Sequence, residues 1–452
     1  MKYGKFRRGL AALLAAMCLS TGAAAAQEKG YILETAEGAC MIDRTGEALG
    51  EAVRYSMLYE IDMPGQGIRR FVGERMGEPG CALLDESGKA LTEFEYQSFE
   101  YCGGVLIFMR KGYCGAMDTD GSILIEAAYT MLIPTGDGTY LAQKTNPYDD
   151  LADIVYRIEA DGSEQASPAR ISGGMSPMSE GLCVAMSAPD VRYGYLNAQG
   201  EWAIEPRFRW AGAFENGRAM AADEQGAGMI DTAGAWLIEP GYDSISHQGD
   251  SLLLASRGNT LTLIHPDTLE SVASYTGDGL YGYPGEGGTA LIMHDGRGMV
   301  IDANGEIRLD VEDCSAVGRW SGMKDHVIVT RGEFGTAGVY LYGLDGQEPA
   351  GPYQEIIPLG KVNGEMYYLF LSFEAQRVEY GRGIYFWDEV PGTRMCGVLS
   401  PTGEELFRTS AQYIRHAGDD LIFIDRAEGT ALADIYGNVI REYALEGMEH
   451  GR

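Results

Sequence analysis

The side chains that most often perform chemistry are scattered along this chain rather than grouped. Neither the H-E-x-x-H signature of zinc proteases nor the G-x-S-x-G turn of serine hydrolases occurs. The six histidines do not pair at the spacing of metal ligands, and isolated histidines in turns are the simpler interpretation. We therefore expect no catalytic residue, no metal site and no cofactor. The histidines are His247, His265, His294, His326, His416 and His450.

The cysteines also indicate no reactive or metal-binding site. Seven remain once an amino-terminal leader is removed, and the odd number without a C-x-x-C pair favours neither a disulfide framework nor a zinc site. Four of them precede the same recurrent turn by three or four residues, which predicts a small, partly buried residue at an equivalent strand position. These four are Cys40, Cys81, Cys114 and Cys396.

Carboxylates recur in one column, five residues after a repeated glycine. Stacked repeats would bring these charges together and attract cations. Alternatively, each carboxylate accepts backbone hydrogen bonds as part of the fold, and we favour this second interpretation. The column contains Glu51, Glu93, Glu126, Glu205, Glu239, Asp310 and Glu442.

One stretch rich in aromatic residues departs from the rest of the chain. It reads EMYYLFLSFEAQRVEYGRGIYFWDEVPGTR, from Glu365 to Arg394. Its alternating pattern predicts an extra β-hairpin within residues 361–394. The aromatic side chains either pack at a sheet edge, which we favour, or recognise sugar rings or a partner protein. In the second case the ligand-binding residues would be Tyr380, Tyr385 and Trp387.

These residues are carried by a sequence repeat. Its anchor is a turn, usually D-x-x-G, and one further turn is degenerate, in IHPDTLE around Asp267. Eleven units of 33 to 42 residues cover nearly all of the chain, and such a period is typical of repeated modules. The turn glycines are Gly46, Gly88, Gly121, Gly162, Gly200, Gly234, Gly305, Gly346, Gly403 and Gly437.

Each unit has the pattern of β-structure. Apolar residues alternate after the turn glycine, as in Trp236 and Ile238, which indicates a half-buried strand. We expect Trp236 to lie in the core between neighbouring sheets. Pro206 and Pro240 end the strand in two units, and an aromatic residue follows. Three or four short antiparallel strands per unit equal the content of one propeller blade, so the predicted class is all-β.

This pattern resembles the WG (KWG) repeat family. The closest match comprises Gly194-Tyr195-Leu196-Asn197, Gly200, Ile204-Glu205-Pro206, Phe208 and the segment from Phe214 to Ala219. It is good for residues 112 to 257 and thins toward both ends. The resemblance implies a β-rich repeat architecture in bacterial proteins, with no shared catalytic residues and no agreed ligand.

The two ends of the chain predict a closed arrangement. A strand starts at Gly30, ahead of the first turn, whereas the pattern predicts no strand after Tyr443 in the last unit. Pairing the first strand with the last unit would satisfy both edges, so we expect a propeller-like toroid. The alternatives are two smaller propellers of five or six units each, or an open β-solenoid.

The first residues have the features of a secretory signal peptide. A basic head that contains Lys2 and Arg8 is followed by an apolar run. The segment ends in Ala24-Ala25-Ala26, which predicts cleavage before Gln27. Cys18 offers a lipoprotein alternative, although Met17 is a poor neighbour for it. Residues 27–452 would then form the repeat domain, secreted or associated with the cell envelope, with no transmembrane segment.

The net charge and the repeat pattern together limit the possible functions. The chain has 35 Lys and Arg, four of them in the leader, against 66 Asp and Glu, so the mature net charge is −35. Such a surface repels nucleic acid. The sequence predicts a non-catalytic protein that presents a surface to a protein or glycan at or beyond the bacterial cell surface. The rival is a carbohydrate-active hydrolase or lyase on a propeller scaffold, in which a pair of the many carboxylates would do the chemistry.

Overall fold

The computed structural model describes residues 29–35, 38–49, 54–146, 152–247, 251–318, 323, 325–332, 337–379 and 385–444. Within these residues the chain contains forty-two β-strands, β1 to β42, and no helix. All strand pairs are antiparallel, and neighbours along the chain are nearly always neighbours in a sheet. The predicted all-β class with antiparallel repeats is confirmed.

The chain forms two compact units. The first comprises the residues up to Tyr101 together with 119–122, and the second comprises the remainder. In the first unit β1 pairs with β2, and β3, β4 and β5 form a second sheet. Its strands are β1 Tyr31–Thr35, β2 Gly38–Ile42, β3 Met57–Glu60, β4 Phe71–Glu74, β5 Cys81–Leu84 and β6 Ser98–Cys102, of which the last residue belongs to the second unit.

The second unit opens with two sheets that together contain three of the D-x-x-G turns, at Gly121, Gly162 and Gly200. The first contains β7 Val105–Arg110, β8 Tyr113–Met117 and β9 Ile123–Tyr129. The next has seven strands because one long strand, β13, serves two repeats and shifts register between Ile171 and Met175. Its members are β10 Met131–Pro134, β11 Tyr140–Lys144, β12 Asp153–Ile158, β13 Glu164–Met175, β14 Leu182–Ser187, β15 Tyr193–Asn197 and β16 Trp202–Phe208.

Four-stranded meanders follow, each with the strand content of a propeller blade. The first, which we call the regular sheet, contains β17 Trp210–Ala211, β18 Arg218–Ala222, β19 Ala227–Asp231 and β20 Trp236–Tyr242. The next three are β21 Ser244–Ser246, β22 Leu253–Arg257, β23 Thr260–Ile264 and β24 Ser271–Thr276; β25 Tyr281–Gly285, β26 Thr289–His294, β27 Arg297–Ile301 and β28 Ile307–Val311; and β29 Cys314–Gly318, β30 His326–Arg331, β31 Gly338–Gly343 and β32 Ala350–Tyr353.

In the described carboxyl-terminal part, one four-stranded sheet departs from this plan. The hairpin-bearing sheet consists of β33 Glu355–Val362, β34 Glu365–Ser372, β37 Met395–Leu399 and β38 Glu405–Thr409. Between its second and third strands the chain forms a separate two-stranded sheet, the extra hairpin, from β35 Ala375–Glu379 and β36 Tyr385–Glu389. The last meander contains β39 Tyr413–Gly418, β40 Leu421–Arg426, β41 Gly429–Asp434 and β42 Val439–Ala444.

The D-x-x-G turn joins the third and fourth strands of a meander, and its residue types have direct structural reasons. The Oδ1 atom of Asp231 accepts the N–H groups of Ala233 at 2.9 Å and Ala235 at 2.8 Å. Gly234 has a φ of 82°, and a methyl group there would lie 2.9 Å from Ile204 of the preceding sheet. Glycine is therefore required both for the backbone conformation and for the close approach. The strand register shifts directly beside this turn, as in a β-bulge.

The hydrophobic core lies between successive sheets. One cluster joins Tyr195 and Phe208 of the seven-stranded sheet to Phe214, Ala221 and Ile230 of the regular sheet. Each sheet therefore buries its faces against its neighbours in the chain, as in other repeat proteins. Further clusters of this kind follow along the second unit.

Polar contacts also couple two of the repeats to the turn of the next repeat. The Tyr129 hydroxyl donates to Glu164 at 2.7 Å, and the Tyr353 hydroxyl donates to Glu405 at 2.8 Å. Both glutamates lie two residues after a turn glycine of the following repeat. In these two places the recurrent aromatic residue links one repeat to the next.

The reason for expecting the two ends to pair is wrong. The last meander has four strands of its own, and β1 pairs with β2. The aromatic residue of each repeat closes one sheet, and the strand after it opens the next, so the last unit needs no further strand. Closure of the chain, and one ring against two, remain predictions.

Candidate functional site

Three carboxylates of the recurrent column form ion pairs, each with an arginine of a nearby strand. The expected partners were backbone amides. Glu51 lies outside the described residues, and no group of three or more His, Cys, Asp or Glu in the described part of the chain is arranged to hold a metal ion. The ion pairs are Arg110–Glu126 at 2.9 Å, Arg297–Asp310 at 2.5 Å and Arg426–Glu442 at 3.9 Å.

The surroundings of the described cysteines indicate a structural role. Cys81, Cys114 and Cys396 lie at the start of the third strand of their sheets, as its first or second residue, whereas Cys40 is displaced by one residue relative to the turn and so faces the other way. Burial raises the pKa of the Cys81 and Cys396 thiols, and that of Cys183 to about 12. Such thiols are poor nucleophiles at neutral pH.

The histidines are dispersed in turns and at sheet contacts. The Nδ1 atom of His265 accepts the N–H of Asp267 at 3.1 Å in the degenerate turn, and Nε2 of His416 lies 2.9 Å from the Asp419 carbonyl oxygen. His247 is buried and its Nδ1 lies 3.5 Å from Glu215. His450 lies outside the described residues. The structure brings no two of the described histidines together in a hydrogen bond or ring contact.

The aromatic stretch divides between the sheet core and the extra hairpin. Its first half, Tyr367 to Ser372, belongs to β34, where Tyr368 and Phe370 are buried. The second half supplies β36, which contains two of the candidate residues: Tyr385 pairs with Glu379, and Trp387 pairs with Arg377. The third candidate, Tyr380, lies outside the described residues.

The base of the extra hairpin is fixed by side chains. Arg394 binds Oε2 of Glu389 through Nε at 2.8 Å and Nη2 at 2.5 Å, and this pairing raises the pKa of Arg394. The same guanidinium donates through Nη1 to the Gln412 carbonyl oxygen at 3.1 Å. The Glu374 N–H donates to the Thr393 hydroxyl at 3.0 Å. The hairpin is therefore held at a set angle to the sheet that carries it.

A cleft of about 750 Å³ opens at this base. Its walls come from two neighbouring repeats, because Arg426 ends β40 and Glu428 lies in the short connection from β40 to β41. The cleft offers two guanidiniums and two carboxylates as hydrogen-bonding groups, and no nucleophile with an activating base is among the residues that line it. The polar lining consists of Glu389, Arg394, Ser410, Gln412, Arg426 and Glu428.

Sequence reasoning found the hairpin but missed the cleft. A signal was present, since the connections 373–394 and 427–428 occupy the same place in their repeats, between the second and third strands. Aligning the repeats would have placed Arg394 and Arg426 at one edge of successive sheets.

No helix in the described residues is long and apolar enough to cross a membrane.

Comparison with solved structures finds proteins of low sequence identity to this chain. A eukaryotic initiation factor is 9% identical over 93% of this chain and 96% of its own, with a TM-score of 0.44. Dihydro-heme d1 dehydrogenase NirN in complex with DHE is 13% identical over 66% and 75%, with a TM-score of 0.32. BamB from Moraxella catarrhalis is 12% identical over 66% and 92%, with a TM-score of 0.29. No curated protein matches the chain.

The family model that matches is that of the WG containing repeat. It covers residues 193–222 and 228–247, which span the end of the seven-stranded sheet, the regular sheet and β21. These are the residues in which the turn asparagine or aspartate, the turn glycine and the buried aromatic residue all perform the structural roles described above. Residues 193–222 and 228–247 therefore match the WG containing repeat.

Proposed function

We propose that this chain is an exported, non-catalytic binding protein that uses the extra hairpin and the cleft at its base to hold a protein or glycan at or beyond the bacterial cell surface. The observation that carries the proposal is the hairpin itself. Other connections between the second and third strands of a sheet are short, for example 111–112, 258–259 and 295–296. Only in the hairpin-bearing sheet does a described connection form strands of its own.

The remaining polar residues support a structural rather than a catalytic use of the repeats. Turn carboxylates hold backbone amides, and described members of the acidic column hold arginines. The rival, a carbohydrate-active enzyme, has its best support in Glu389 and Glu428, which both line the cleft. Against it, the Arg394 guanidinium binds Glu389 and favours its charged form, which disfavours Glu389 as the proton donor that glycosidases require.

Export is supported by the leader sequence, which lies outside the described residues. Protein purified from its source should begin at Gln27. An amino terminus at an acylated Cys18 would instead make the protein a membrane-anchored lipoprotein.

Binding is tested by screening the mature protein against arrays of glycans and of bacterial surface proteins. A variant in which Gly-Ser-Gly-Ser replaces residues 375–389 should lose the interaction and keep its thermal unfolding midpoint. Glu428→Gln should weaken it, whereas Glu404→Gln, an exposed carboxylate outside the cleft, should not. A ligand that binds the hairpin variant equally well would overturn the assignment. Cleavage of an arrayed glycan would favour the enzyme.

A further inference from the structure

The extra hairpin is a sheet of only two strands. Its register pairs Ala375 with Glu389 and ends with Glu379 opposite Tyr385. No other strand in the described part of the chain is hydrogen-bonded to β35 or β36. A two-stranded sheet leaves one row of backbone groups on each outer side, and such rows are templates for an added strand.

The register determines which backbone groups face outward on β36. Residues of an antiparallel pair alternate between hydrogen-bonded and non-hydrogen-bonded positions. The Val390 N–H donates to the Glu374 carbonyl oxygen at 2.8 Å, so this pair is hydrogen-bonded. The next pair in the hairpin, Ala375–Glu389, is then non-hydrogen-bonded. The same alternation makes the N–H and C=O groups of Trp387 and Tyr385 point away from β35.

One end of this outer edge is already closed. The Asp388 carboxylate accepts the Glu389 N–H at 2.8 Å, and the Gln376 side-chain amide lies 3.5 Å from the Glu389 carbonyl oxygen. The groups left for a partner are therefore the backbone N–H and C=O of Tyr385 and Trp387. They alternate at the spacing that an extended peptide presents.

We propose that the partner is an extended segment of another protein that adds to β36 as a third strand. This deepens the proposed binding function and rests on it. A glycan cannot supply alternating amide donors and acceptors at strand spacing, whereas strand addition is a common mode of peptide recognition.

Charge specifies the partner further. Asp388 is exposed beside the open edge, and the whole chain has a net charge of −31. An added strand with Lys or Arg is attracted, and a second copy of this acidic chain is repelled. The occupant is therefore a basic, extended peptide segment rather than another copy of the hairpin.

The test begins with a displayed library of random ten-residue peptides selected on the full mature chain. Enriched peptides should combine β-branched residues with Lys or Arg, and one of them, synthesised, serves as the probe. Trp387→Pro removes the outward N–H but none of the hairpin's own hydrogen bonds, so it should weaken binding about tenfold or more. Trp387→Val keeps the N–H and the strand propensity, so it should bind within about twofold of wild type.

Hydrogen exchange separates pairing from loss of the hairpin. Amides of Phe386 and Asp388, which face β35, should stay protected in Trp387→Pro, and the amides of Tyr385 and Trp387 should gain protection when the peptide binds wild type. Equal binding by the proline variant, or failure to enrich any peptide, overturns strand addition. A dimer that dissociates on Trp387→Pro replaces the basic partner with a second copy. A glycan whose binding depends on the hairpin would contradict strand addition but leave the proposed binding function standing. If no ligand in the screen depends on the hairpin, both strand addition and the proposed binding function are contradicted.

Discussion

The regular sheet and the hairpin-bearing sheet follow one plan but differ in one connection. In the regular sheet the second and third strands are joined by a tight turn, in which the Asp223 N–H donates to the Gly226 carbonyl oxygen at 3.0 Å. In the hairpin-bearing sheet the same place holds the extra hairpin, yet β34 and β37 pair in register. The fold therefore depends on the buried faces of the strands and on the turn before the fourth strand. The connection between the second and third strands can be lengthened without loss of the sheet, so it can acquire a binding element.

The strongest test of the comparison removes a buried residue that joins the regular sheet to its neighbour. Tyr195 is fully buried, packs 4.7 Å from the Phe214 ring between centroids and donates its hydroxyl to Gly212 O at 2.8 Å. We expect Tyr195→Ala to lower the free energy of unfolding by about 3–5 kcal/mol. Tyr195→Phe, which loses only the hydrogen bond, should cost about 1 kcal/mol. Urea unfolding measures both, and a loss below about 1 kcal/mol for Tyr195→Ala would contradict packing between sheets as the main source of stability.

A smaller loss is expected at Trp236. The sequence placed it in the core between sheets, and the structure packs it half-buried against that core, edge-to-face with Phe208 at 5.6 Å. Because part of the indole stays in water, Trp236→Ala should cost about 2–3 kcal/mol. Leu237→Ala, at a side chain that is 42% exposed, is the matched control and should stay within about 0.5 kcal/mol. Equal effects in the two variants would show that the strand faces are misassigned.

The turn allows a direct test in both sheets. Asp231 in the regular sheet and Ser400 in the hairpin-bearing sheet each accept two backbone N–H groups, at 2.8–2.9 Å and 3.0–3.2 Å respectively. The charged, shorter acceptor should contribute more, so we expect about 1–2 kcal/mol for Asp231→Ala and about 0.5–1 kcal/mol for Ser400→Ala. Denaturant unfolding of the two variants gives the ranking, and the reverse order would remove charge as the explanation.

The parts of the fold that repeat could be predicted from the sequence, because the turn glycine and the alternating apolar residues depend on local geometry. The boundaries between sheets could not, since the aromatic residue that ends a repeat can equally precede one more strand. The aromatic pattern likewise assigns Tyr367 to Ser372 to the insertion, whereas in the structure this segment is part of β34 and residues 368–372 pair with β37.

The candidate site was predictable only in its hairpin. The cleft joins Arg394 to Arg426 across two repeats, and such proximity depends on tertiary packing. The partner of Glu126 was equally hidden: Arg110 lies sixteen residues earlier, and the two meet because β7 and β9 flank β8. Residue spacing alone does not give that register.

The smallest expected effect is a pH dependence in a connection that, like the hairpin, lies outside the common turn. Asp137, between β10 and β11, accepts hydrogen bonds at 2.6 Å from the hydroxyls of Thr135 and Thr139, and these hold its pKa at about 2. Since an unfolded aspartate titrates near pH 3.9, its stabilising contribution is complete above about pH 4 and is lost as pH falls through about 2. Asp137→Asn should therefore be slightly less stable than wild type at pH 7, with a gap that narrows between pH 4 and pH 2. Because the carboxylate is more than half exposed, water screens it and the gap should be small. Urea midpoints at pH 7, 4 and 2.5 measure it. A gap that stays constant through this range would mean that the hydroxyls do not hold the charged form.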